Sequence, residues 1–95
     1  MRLPLTGWKN KRGTGKRDDP SMKSLWLRKG YPWPAECCVS GCHKPATDGA
    51  HMINQSSGSM EEWIAPTCHE HNEQEGVELT LKAGITIHKL KDLKE

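Results

Sequence analysis

Two short clusters carry most of the chemistry in this chain: Cys37-x4-Cys42 and Cys68-x2-His71. A thiolate or imidazole pair in a tight turn grips half of a tetrahedral zinc site. Two such pairs close the site and staple whatever lies between them. The 25 residues between Cys42 and Cys68 contain Gly49-Ala50-His51, a histidine that neither pair needs. Cys38 is an alternative to Cys37, since Cys38-x3-Cys42 also suits zinc. Cys37 is preferred because Cys38-Val39 then gives an apolar interior step and Gly41 sits just before the second ligand. The spare cysteine becomes a small buried hydrophobe. Among the other histidines, His43 is a weak substitute ligand, His69 faces away from His71 and is solvated, and His88 is an exposed residue of the last strand.

The elements that must position these residues are few. The chain has 95 residues, 34% of them hydrophobic, no Phe, and a mean hydropathy of −0.80. One small domain with little apolar surface to bury needs a metal or disulfides. Four cysteines allow two disulfides. No apolar stretch of signal-peptide or membrane-spanning length is visible, so a cytoplasmic, reducing location and a metal are expected.

The overall charge of +2 hides an asymmetry. Residues 1–30 hold nine basic side chains and two acids, whereas residues 31–95 hold five lysines and ten acids. Two units follow: a basic, largely irregular arm over 1–34 and a zinc-binding domain over 35–95. The arm suits contact with a phosphate backbone, or is a solvated tail resting on the acidic body. Lys9 to Arg17 has no apolar periodicity and lacks the phosphate-loop pattern. Ser21–Lys29 is predicted as a short helix stopped by Gly30, and Tyr31-Pro32-Trp33-Pro34 as extended. Trp8, Trp26 and Trp33 anchor the arm by packing, or stack on bases.

In the body, Cys37–Cys42 reads as a knuckle turn. Gly49–Ile53 and Trp63–Pro66 read as a hairpin around a polar loop at Asn54–Ser59. Cys68 to about Glu75 reads as a short helix ended by Gly76. Val77, Leu79 and Leu81 alternate with polar residues as a strand. After a turn at Lys82-Ala83-Gly84, Ile85, Ile87 and Leu90 continue a second strand. The fold class expected is small α+β with an extra C-terminal β-hairpin.

Knuckle, hairpin, then a second ligand pair opening a helix: this order resembles the treble-clef zinc fold. Gly49-Ala50-His51 on the hairpin and Pro66-Thr67-Cys68-His69-Glu70-His71-Asn72 at the helix start are similar to the HNH, or His-Me finger, nuclease superfamily. The resemblance covers roughly Cys37 to Gly76. It implies structural Zn²⁺ on Cys37, Cys42, Cys68 and His71. It implies His51 as the general base that activates water, and Asn72 as the helix ligand of a catalytic Mg²⁺ or Mn²⁺. A neutral imidazole can accept that proton, and a cation can offset charge on the phosphate. Nucleic acid, and DNA in particular, is then the partner.

The chain departs from the superfamily pattern. Ala50 stands where many members carry an acidic metal ligand, and Asp48 nearby is given no role. Glu61-Glu62-Trp63 lacks the Asn that orients the base. The plainer readings make His51 a core hydrogen-bonding residue or a substitute zinc ligand, and Asn72 a helix cap. Glu61, Glu62, Glu70, Glu73, Glu75 and Glu78 gather near the would-be active face and would repel phosphate. A second function class is therefore a non-catalytic zinc adaptor that binds a protein partner, with no membrane role.

Overall fold

The computed structural model describes residues 4–11, 20–54, 61–74 and 76–94. Its elements are β1 (Trp8–Asn10), α1 (Pro20–Arg28), β2 (Asp48–Asn54), β3 (Trp63–Thr67), α2 (His69–Glu73), β4 (His88–Lys89) and α3 (Leu90–Lys94). The four strands form one antiparallel sheet in the order β1-β2-β3-β4. Among the described residues the fold is therefore small α+β, with three helices around one sheet.

The predicted hairpin forms between β2 and β3, with Ala50 opposite Ala65 and His51 opposite Ile64. Residues opposite each other on a ladder share a face, and alternation along each strand sets two faces apart. Ala50 and Met52 lie on one face, in a core with Trp8, Cys37, Cys38, Cys68, Leu79, Leu81 and Ile87. Ile64 lies on the other, in a core with Met22, Trp26 and Leu93. Helix α1 covers that second face closely. A Cβ built on Gly49 would stand 2.8 Å from the Cβ of Met22, so glycine is what lets α1 approach β2.

Three expectations are corrected. Residues 8–10, expected to be irregular, form an edge strand: Trp8 pairs with Asn54 and Asn10 with Met52. The arm is thus partly built into the sheet, and Trp8 and Trp26, each 1% exposed, pack rather than wait for bases. The C-terminal hairpin does not form among the described residues. Leu79 bridges to Trp8 and Leu81 to Val39, while His88–Lys89 joins β3 and Leu90–Lys94 turns into a helix. The alternation of Leu79 and Leu81 marked burial, but their partners lie at distant sequence positions. The third correction concerns His88. It is stacked on Tyr31 at 3.8 Å between ring centroids and meets Trp26 edge-on at 4.6 Å, so it is a packing residue.

Helix α1 matches its expected span closely, and Gly30 (φ 83°) ends it in the left-handed region. Helix α2 ends at Glu73, short of the expected Glu75, which lies outside the described residues. The basic run from Arg12 to Arg17 and most of the polar hairpin loop also lie outside them. No described helix is long and apolar enough to cross a membrane.

Candidate metal centre and the hairpin histidine

The knuckle is built by backbone hydrogen bonds. Cys37 N donates to Lys44 O and Ala46 N to Ala35 O, at 2.8 and 3.1 Å. At the tip, Cys42 N donates to Val39 O at 3.0 Å, and Gly41 takes φ 82°. That is the φ > 0 position of a tight turn, which glycine fills without steric cost. On the far side of the sheet chain, Cys68 sits in extended conformation at the start of α2, and His71 follows one turn later.

These two units bring the donor atoms of Cys37, Cys42, Cys68 and His71 within 4.8 Å of one another. Cys42 and Cys68 Sγ are 3.9 Å apart, and His71 Nδ1 lies 3.2 Å from Cys68 Sγ and 3.5 Å from Cys37 Sγ. Bond lengths of about 2.3 Å to sulfur and 2.0–2.1 Å to nitrogen give tetrahedral edges of about 3.8 and 3.5 Å. The donor set and spacing therefore fit a metal ion such as Zn²⁺. All four cysteines are free thiols, so the two-disulfide alternative is not what this fold holds.

Cys37 belongs to the cluster and Cys38 does not. Cys38 is 2% exposed and outside the cluster, and burial pushes its thiol up to about 12. Burial also raises Cys37, to about 11. Cys42 moves the other way, lowered chiefly by a hydrogen bond from the Lys44 backbone. His43 is outside the cluster and pairs with Glu36 at 3.4 Å. His51 is also outside it, so it does not replace a ligand.

Asn72 and His51 are not brought together. Asn72 is buried on the α2 side, where its Nδ2 donates to Asp48 Oδ2 at 2.9 Å. The same oxygen lies 2.8 Å from His69 Nδ1, so His69 is held rather than merely solvated. Asp48 and Ala50 are two apart on β2 and share a face, with no bulge required. His51 shares its face with Ile64, on the α1 side. Among the described residues, the only cluster of three or more Cys, His, Asp or Glu donors is the Cys3His set. Asn72 has Asp48 beside it as the one carboxylate that its side-chain amide contacts, and His51 stands on the opposite face of β2.

His51 has a distinct setting. Its side chain is 16% exposed, and its Nδ1 lies 3.7 Å from Glu62 Oε1. Nδ1 is buried without a hydrogen bond, while Nε2 is not among the buried unpartnered atoms. The other oxygen of Glu62 is 3.2 Å from Lys11 Nζ, and Lys11 N donates to His51 O at 2.8 Å. Sequence reasoning missed Glu62 and Lys11. In the sequence Glu62 stands out only as one of several acids near the would-be active face, in a stretch that lacks an Asn.

The acids expected to repel phosphate are mostly paired. Glu61 meets Lys89 and Lys91, Glu62 meets Lys11, Glu70 meets Lys44, and Glu73 meets His69. A groove lined by Pro32, Trp33, Cys38, Lys82 and Ile85 includes neither His51 nor Asn72 in its walls. Comparison of the chain with protein-family models, curated proteins and solved structures finds no match.

Proposed function

We propose that this chain is a zinc-stapled treble-clef module of the HNH type that binds nucleic acid, most readily DNA. The order of parts supports the treble clef: a knuckle bearing Cys37 and Cys42, the β2–β3 hairpin, then α2 with Cys68 and His71 at its start. In that reading the zinc is structural, because four protein donors close its coordination.

The observation that carries nucleic-acid binding is the placement of charge on the sheet. Lys9 pairs with Ile53 and so shares the face of His51, the face that α1 covers with Lys23 and Arg28. The acids Asp48, Glu70 and Glu73 belong to the α2 side or to α2 itself. Among the described residues, Lys9 and Lys23 thus stand on elements of the His51 side of the sheet, where Glu62 is already paired with Lys11. Cationic side chains on a fixed frame release counterions from a phosphate backbone when they bind it. The test is binding of a labelled DNA duplex by fluorescence anisotropy across a salt series, with Lys9→Glu/Lys23→Glu as control. Affinity should fall steeply with salt and the double variant should bind about tenfold or more weakly. Salt-independent binding, or no loss in the variant, would favour the protein-partner adaptor.

A second reading rests on His51. Its ring is mostly buried, with Nδ1 facing the Glu62 carboxylate, and an imidazole with one nitrogen turned to a carboxylate can serve as a general base through the other. In this reading Nε2 takes a proton from water as the water oxygen bonds to the scissile phosphorus, the P–O bond to the leaving sugar oxygen breaks, and that oxygen takes a proton from solvent. His51→Ala should then abolish plasmid nicking while zinc content and folding stay unchanged.

A further inference from the structure

We infer that Glu62 is the positioning residue of His51, and that Lys11 holds Glu62 in place. The inference rests on the reading of His51 as a proton acceptor and supplies the part that reading lacks. Three strands meet here. His51 stands on β2, Glu62 immediately precedes β3, and Lys11 immediately follows β1. The backbone of each is fixed independently of the side chains. Lys11 N donates to His51 O, and Glu62 O accepts from Leu90 N at 3.0 Å.

The side chains then form a row. Lys11 Nζ binds one oxygen of Glu62 at 3.2 Å, and the other oxygen faces His51 Nδ1 at 3.7 Å. Nδ1 has no other partner and no solvent. A buried ring nitrogen that faces a carboxylate is satisfied when it carries the proton. The hydrogen bond made by one ring nitrogen sets the tautomer and leaves the other as the base. Glu62 thus keeps the proton on Nδ1 and the lone pair on Nε2. The gap of 3.7 Å is long for a hydrogen bond, as is common for catalytic pairs before substrate is bound. The sheet supplies by a carboxylate what the missing Asn supplies in the superfamily pattern.

The test is nitrogen-15 NMR of the histidine rings in the zinc-loaded full chain, at about pH 8 where imidazole is neutral. His51 should be the Nδ1–H tautomer. Glu62→Ala should shift it toward Nε2–H, and Glu62→Gln, whose Oε1 still accepts, should restore Nδ1–H. An Nε2–H tautomer in the unmutated chain, or no change in Glu62→Ala, overturns the inference. The unmutated spectrum decides alone should the Ala variant not fold. In a nicking assay Glu62→Ala should lower kcat about tenfold or more at unchanged KM. The expected tautomers without any nicking would leave Glu62 as the residue that orients His51 and remove only the hydrolytic reading.

Discussion

Asn10 caps the helix that carries His71. Its Nδ2 donates to the carbonyls of His71 and Gln74, both at 2.7 Å. The last carbonyls of a helix lack their usual partners within it, and at the end of α2 the His71 carbonyl takes Gln74 N at 3.4 Å and the shorter bond from β1. A strand from the N-terminal third therefore holds the end of a metal-ligand helix that begins some sixty residues later in sequence.

Asn10→Ala should remove both hydrogen bonds, leaving the Gln74 carbonyl without this donor and the His71 carbonyl with only Gln74 N at 3.4 Å, at a cost of about 1–3 kcal/mol. The melting temperature of the zinc-loaded chain should fall by about 5–15 °C. Asn10→Asp should be worse, because a carboxylate faces the carbonyls and cannot donate. Thermal melts of the two variants check both statements, and equal stability of Asp and Asn would remove the cap.

Cys37 and Cys38 are adjacent yet should answer differently. Cys37→Ser should lose bound zinc on dialysis, because one corner of the cluster goes. Cys38→Ala should keep zinc at full stoichiometry and cost about 1 kcal/mol from lost packing. Elemental analysis separates them. Zinc loss in the Cys38 variant would mean that the ligand had been misassigned.

His88 should make stability depend on pH. Burial lowers its affinity for a proton below that of the unfolded chain, with Asp92 opposing. The folded state therefore favours the neutral ring. Its contribution is fully present above the unfolded value of about 6.5 and is lost as pH falls below it, down through the folded value. His88→Phe keeps the stack on Tyr31 and removes the titration. The stability gap between the unmutated chain and this variant should move against the unmutated chain as pH falls from about 7.5 to 5.5. Zinc-ligand protonation affects both chains alike, so the difference isolates His88. A gap independent of pH would contradict the assignment.

What the sequence disclosed follows from how local each signal is. The metal ligands were legible because each pair lies within one turn, and a turn is encoded by its own residues. The hairpin was legible because its partners adjoin in sequence. β1 was not, since Lys9-Asn10-Lys11 has no strand pattern and is held by Asn54, Met52 and the end of α2. The alternation of Leu79 and Leu81 was real, but it encodes burial and not the partner. His51 stood out in the sequence only as a histidine that neither ligand pair needs. Its neighbour Glu62 was hidden because the two meet only across the ladder.

The pairing of Leu79 with Trp8 has a consequence for solubility. Trp8 N donates to Leu79 O at 3.3 Å, and Leu79 N donates to Trp8 O at 2.7 Å. These bonds occupy the outward-facing amide and carbonyl of Trp8, on the sheet's first strand. An open strand edge is a template on which further copies can add. The segment after α2 thus acts as a guard rail. Without it the zinc cluster would still have all four of its donors, but the sheet would offer an uncovered edge to its neighbours.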